Sequence, residues 1–133
     1  MAYFDIVKGY RDYGTFIIHQ FKAASGYNPQ PGDIVSVDNN GLINKATSTT
    51  APIATGVVFE TGTPSSSATS MHVVLLGQGI IETDNVASGA DAPSVGDYVE
   101  VEDGVWKKSG GENVPSGIVL SISSGKYIIY KFI

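Results

Sequence analysis

Apolar and polar positions alternate in short runs along this chain, and turn residues separate the runs. Ile34-Val35-Ser36-Val37 and Tyr98-Val99-Glu100-Val101-Glu102 show the period of two expected of a half-buried strand. Each run follows a Gly-Asp step, Gly32-Asp33 and Gly96-Asp97. Each leads into an acidic turn ending in Gly, Asp38-Asn39-Asn40-Gly41 and Glu102-Asp103-Gly104. Asn-Gly and Asp-Gly favour type I′ hairpin turns, because both central residues need positive φ. Leu42-Ile43 and Val105-Trp106 then begin the return strands. Thr15–Phe21, Gly56–Glu60, Met71–Leu76, Ile80–Thr83, Ile118–Ile122 and Lys126–Phe132 read as further strands. Ser123-Ser124-Gly125 marks a final hairpin. Thr61–Ser70 reads as a Ser/Thr loop, Gly77-Gln78-Gly79 as a strand break, and Asp84–Val95 as a linker. About ten strands and no helix are expected.

These signals form one pattern that occurs twice. Gly-Asp, strand, acidic turn, a segment reaching Lys45 or Lys107, a Pro (52 or 115), then Gly56 or Gly117 and another strand, recur in order. The Gly-Asp steps lie 64 residues apart (96 − 32) and the later glycines 61 apart (117 − 56). A repeat of two copies predicts a pseudo-twofold β domain rather than a solenoid. The expected fold is all-β: a compact sandwich or barrel of two related β-meanders, with an N-terminal arm. Residues 1–30 are expected as arm or edge strands. Residues 31–133 are expected as the β domain, with copies at about 31–76 and 95–132.

The arm stands apart in composition. It holds four of the seven tyrosines, three of the five phenylalanines and Arg11, the only arginine. Aromatics and Arg are enriched where partners bind tightly, and an extended segment can add a strand to a neighbour's sheet. Tyr3, Phe4, Tyr10, Arg11 and Tyr13 are therefore the candidate partner-interface residues. An ordinary core strand is the competing reading.

Composition narrows the chemistry. A length of 133 residues suits one domain with a real core. The net charge of −5 argues against a sequence-independent grip on nucleic acid. No apolar run is long enough for a membrane span, and no signal peptide is expected at the N-terminus, so the expected site of synthesis and folding is a cytoplasm. There is no cysteine. His19 and His72 lack ligand spacing, so no metal site is expected. Ser70 and His72 have no nucleophile elbow around them. Asp33 and Asp97 are explained by turn chemistry better than by paired catalysis. No enzyme activity and no cofactor are expected.

The run Gly32-Asp33-Ile34-Val35 … Asn40-Gly41 … Lys45-Ala46-Thr47 … Pro52-Ile53-Ala54-Thr55-Gly56-Val57-Val58 resembles the small head-decoration proteins of tailed bacteriophages. In those chains a strand, a Gly and a second Gly-Asp-x-Val follow; here Gly77/Gly79 and Gly96-Asp97-Tyr98-Val99 take those places. The resemblance covers about residues 31–120. It implies a capsid cement protein on the outside of an icosahedral head, made in the host cytoplasm. It also implies a homotrimer that clamps the major capsid protein, with no role for nucleic acid or membrane. The alternative is a tail-fibre or carbohydrate-recognition module presenting its Ser/Thr loops and Trp106.

Overall fold

The computed structural model describes residues 4–6, 16–47, 56–60, 71–111 and 114–132, with backbone alone for Phe4–Ile6 and Glu60. Eleven strands lie within them: β1 (Phe4–Ile6), β2 (Ile17–Ala23), β3 (Ile34–Val37), β4 (Leu42–Lys45), β5 (Gly56–Glu60), β6 (His72–Leu76), β7 (Gly79–Thr83), β8 (Tyr98–Glu102), β9 (Val105–Lys108), β10 (Gly117–Ser123) and β11 (Lys126–Lys131). One short 3-10 turn, Gly89–Asp91, is the only helical element among them. The fold is all-β, as the alternation predicts.

The strands form two bodies. β2-β4-β3-β5-β6 closes into a small barrel, and β1-β7-β11-β10-β8-β9 forms a six-stranded sheet. Their pairing is the same. Val35 faces Gly56 and Ile34 faces Val57 in the first; Val99 faces Gly117 and Tyr98 faces Ile118 in the second. Both show a register shift at one place, between Val58 and Glu60 and between Val119 and Ser121. The Gly-Asp corners match bond for bond. Gly32 N–H donates to Val58 O and Gly96 N–H to Val119 O, both at 2.8 Å. Asp33 N–H reaches Gln30 O and Asp97 N–H reaches Ser94 O, both at 3.0 Å.

The equivalence reaches further back than residue 31. Ile17–Phe21 of β2 pairs antiparallel with β6 as Gly79–Thr83 of β7 pairs with β11. β2 then turns parallel to β4 at Ala23↔Ile43, and the chain after β7 makes a parallel bridge at Val86↔Trp106. Each half thus runs through the same five-strand order; the first is a closed barrel, and the second is a sheet that curls barrel-like until its two ends meet through that single bridge. β2, expected within the arm, is a stave of the first barrel, while β1 pairs with β7 at the edge of the second. The link between barrels is Gly77-Gln78. The Asp84–Val95 stretch is not that link; it joins β7 to β8 inside the second barrel.

One expectation about turns needs correction, and with it one about the repeat. Asn40-Gly41 is not a type I′ turn, because only Gly41 has positive φ, at 76°. Asp38 instead accepts the N–H groups of Asn40 and Leu42 through Oδ1, at 2.8 and 3.0 Å, and holds a three-residue loop. Asp103 (φ 49°) and Gly104 (φ 77°) do have the two positive angles of type I′. The first hairpin is therefore one residue longer, which moves the equivalence. Val35 faces Lys45 and Val99 faces Lys108, so the counterpart of Lys45 is Lys108 rather than Lys107.

Period two sets the cores. Val35, Ile43, Val58 and Val74 fill the first barrel, with Phe21, Tyr27, Val37 and Leu76 partly buried around them. Their neighbours Ile34, Ala46 and Val57 point the other way. They join Ile81, Val99, Val101, Trp106, Val119 and Ile129 of the second barrel in one continuous cluster. The two barrels therefore share a core. The turn of the second barrel also enters the first: Ile34 N–H donates to Gly104 O at 3.2 Å and Gly104 N–H to Ala46 O at 2.9 Å. Asn85 secures the joint, donating through Nδ2 to Gly32 O at 3.0 Å and Gly104 O at 2.9 Å.

Candidate functional site

Phe4 lies in β1, in register with Thr83. Tyr3, Tyr10, Arg11 and Tyr13 lie outside the described residues. The structure thus brings one of the five interface candidates onto a sheet edge. No set of three or more His, Cys, Asp or Glu groups suited to a metal ion occurs among the described residues.

The histidines have separate fates. His19 is exposed on β2, its ring edge-on to Phe21 with centroids 4.9 Å apart. His72 is buried in β6, and burial lowers its pKa by disfavouring the charged ring. Asp33 and Asp97 do corner work. Asp33 Oδ2 accepts Gln30 N–H at 3.1 Å and the Tyr27 hydroxyl at 2.8 Å. Asp97 Oδ2 accepts Ser94 N–H at 2.8 Å and lies 3.9 Å from Lys108 Nζ. Burial, then the bond to Asp33 and its charge, push the Tyr27 phenol far up. Trp106 is wholly buried in the shared core, so no face of it is free to stack on a sugar.

Two surfaces stand out instead. The first is the outer edge of β2. Ile17 is 67% exposed and Ile18 63%, followed by exposed His19 and Gln20. The corresponding edge of β7 is covered by β1, through Asp5↔Glu82 and Ile6↔Ile81. Among the described residues no strand takes that place on β2. An apolar strand edge with unused backbone groups is a ready template for another chain.

The second surface lies at the corner of the second barrel. Tyr98, Asp97, Gly96, Lys108, Ser109 and Pro115 line an open groove of about 360 Å³. Tyr98 is 56% exposed, while its counterpart Ile34 is fully covered. Tyr98 contacts Phe132, and Phe132 contacts Tyr130, both edge-on at 6.4 and 5.7 Å. Beside the groove, Lys107 bridges Glu100, at 3.5 Å, and Glu102. That cross-strand ladder explains the adjacent lysines without an anionic ligand.

Sequence reasoning missed both surfaces. Exposure of Ile17-Ile18 has no local signal, since a β-branched run reads equally well as core. The groove follows only from knowing that Tyr98 and Ser109 correspond to Ile34 and Ala46.

Searches against protein-family models, curated proteins and solved structures return no match. No helix among the described residues is long and apolar enough to cross a membrane.

Proposed function

We propose that this chain is a structural virion protein, a capsid cement that binds the outside of an icosahedral phage head and stabilises it without catalysis or cofactor. The major capsid protein is the proposed partner and a homotrimer the proposed state. The observation that carries the reading is the use made of the decoration-like turn order. Gly-Asp, Asx-Gly and the later Gly fold two matching halves onto a shared core, and leave an exposed strand edge at Ile17–Gln20 that begins with two isoleucines. A cement needs such a body: a rigid spacer with edges that pair with lattice partners. Edge pairing supplies main-chain hydrogen bonds, with side-chain pockets adding selectivity. Repetition over a shell raises effective concentration, so modest contacts suffice. A ligand that binds only the expanded lattice also stabilises it by mass action.

The test is co-sedimentation with expanded phage heads stripped of their own decoration protein, beside unexpanded proheads. Saturable binding to expanded heads, with heads that survive higher temperature, is the expected result. Absence of binding across heads of several tailed phages sinks the proposal. The glycan-recognition alternative loses its aromatic platform with Trp106 buried.

A further inference from the structure

The joint between the barrels exists once within the chain, but each chain carries the parts for a second. On the first barrel the β3–β4 ladder is open at its end. Ala46 N–H donates to Ile34 O at 2.9 Å, yet the reciprocal rung is interrupted by Gly104, whose peptide takes Ile34 N–H and gives its own N–H to Ala46 O. On the second barrel the same ladder end has the same first bond, Ser109 N–H to Tyr98 O at 2.9 Å. Among the described residues the reciprocal bond from Tyr98 N–H to Ser109 O is not made. The groove between Gly96, Tyr98, Lys108 and Ser109 is the vacant counterpart of the seat that Gly104 fills.

The counterpart of Gly104 is Gly41. Both are the positive-φ glycine of a Gly-Asp hairpin, at 77° and 76°. Gly104 sits against the Lys45 stem: a Cβ there would lie 3.1 Å from Lys45 Cγ and 3.4 Å from Ile34 O. Gly41 is in an exposed turn, with nothing within 4 Å of the same position. Its own barrel places no groove before it.

We propose that the Asp38–Leu42 turn of one copy docks into the Gly96–Tyr98/Lys108–Ser109 groove of a second copy, repeating between chains the joint made within each. Gly41 O accepts Tyr98 N–H. Gly41 N–H exchanges its 3.0 Å bond to Asp38 O for the Ser109 carbonyl. Tyr98 and Ile118 of the second copy are then covered as Ile34 and Val57 are covered now. The Lys22 ammonium, at the position next to the counterpart of Val86, takes over the donor role of Asn85 toward the Gly96 carbonyl. The contact is heterologous, since turn meets groove, so it closes into a ring if the rotation permits and otherwise runs on as a filament. A ring of three chains would present six barrels.

The inference goes beyond the cement reading and fails separately from it. A monomer that binds heads overturns the inference, and the proposed trimer with it, but leaves the cement reading standing; an oligomer that ignores heads overturns the cement reading alone. The chain is free of cysteine, so single-cysteine variants report contacts cleanly. Asn40→Cys and Lys108→Cys, both at exposed positions, are mixed and oxidised. A mixed disulfide between them is expected, in preference to pairs of like variants. In sedimentation velocity the unaltered protein is expected to gain mass with concentration. Gly41→Asn keeps the positive φ but adds a Cβ that only the docked state crowds. It is expected to leave the circular dichroism spectrum unchanged and weaken association about tenfold, equivalent to about 1.4 kcal/mol. A monomer at all concentrations overturns the proposal. So does association indifferent to Gly41→Asn, or trapping only between like variants.

Discussion

Lys131 donates from Nζ to the carbonyl oxygen of Gly77 at 2.5 Å, tying the last strand to the two-residue link between the barrels. The lysine is fully buried, and burial lowers its pKa to about 8. The sign of the pH effect follows. Between about pH 8 and the ordinary value of 10.5 the unfolded chain holds the proton and the folded chain does not. Stability therefore rises with pH across that window, by about 3 kcal/mol at most. Above about pH 10 the trend reverses, because half-buried Tyr27 keeps a proton that the unfolded chain releases. Urea unfolding at pH 7.5, 10 and 12 should show the rise and the fall. Lys131→Met should abolish the rise and leave the fall.

The two corner aspartates should not be equal. Asp33 is partly buried and holds the Tyr27 hydroxyl as well as a backbone N–H, whereas the corner bond of Asp97 is exposed. Asp33→Ala strands a half-buried phenol and is expected to cost about 2 kcal/mol, against about 1 kcal/mol for Asp97→Ala. Chemical denaturation of the two variants gives the comparison.

Gly56 and Gly117 occupy one position of the repeat, opposite Val35 and Val99. A Cβ at Gly117 would meet Tyr130 O at 2.8 Å, a backbone atom of the paired strand. At Gly56 it would overlap Val74 Cγ1 and lie 2.8 Å from Leu76 Cδ2. Alanine at either site is expected to destabilise by about 1–3 kcal/mol. Gly117→Ala should be the more harmful, since backbone gives less readily than side chains. Thermal unfolding of both variants checks the order.

The β2 edge should matter to binding and not to folding. Ile18→Lys places a charge on an exposed strand edge, a substitution natural edges use against pairing. An unchanged circular dichroism spectrum with weakened head attachment is expected. Deleting residues 1–14 removes β1 and leaves every stave of both barrels. That shortened chain should stay folded and bind heads less well; undiminished binding would mean the segment is dispensable.

The strands were legible because alternation and turn chemistry agree in most runs. Ile34–Val37 and Tyr98–Glu102 read correctly for that reason, and so did the Ser124-Gly125 hairpin, whose residues have φ of 52° and 75°. Correspondence between copies was harder to read. Ile17-Ile18-His19-Gln20-Phe21 and Gly79-Ile80-Ile81-Glu82-Thr83 share almost no side chains, yet they fill one position. β7 is covered by β1, while among the described residues no strand covers β2, so the two runs meet different surroundings. Lys107 passed for the partner of Lys45 because neighbouring lysines differ only in face, and face depends on a turn length that Asn-Gly alone does not set. The groove at Tyr98 could not be read at all, since a vacancy is visible only beside its filled counterpart.

The path of the chain also has a consequence for synthesis. β1 is made first but pairs with β7, about 75 residues later, and Ile34 and Ala46 wait for Gly104 to complete their rung. At a ribosome adding roughly 5–20 residues each second, that interval is several seconds, long beside the microseconds in which a hairpin forms. β1 therefore emerges long before the strand it pairs with. The first barrel can take shape while its outward face is still bare, and the chain's own second half then arrives to cover it.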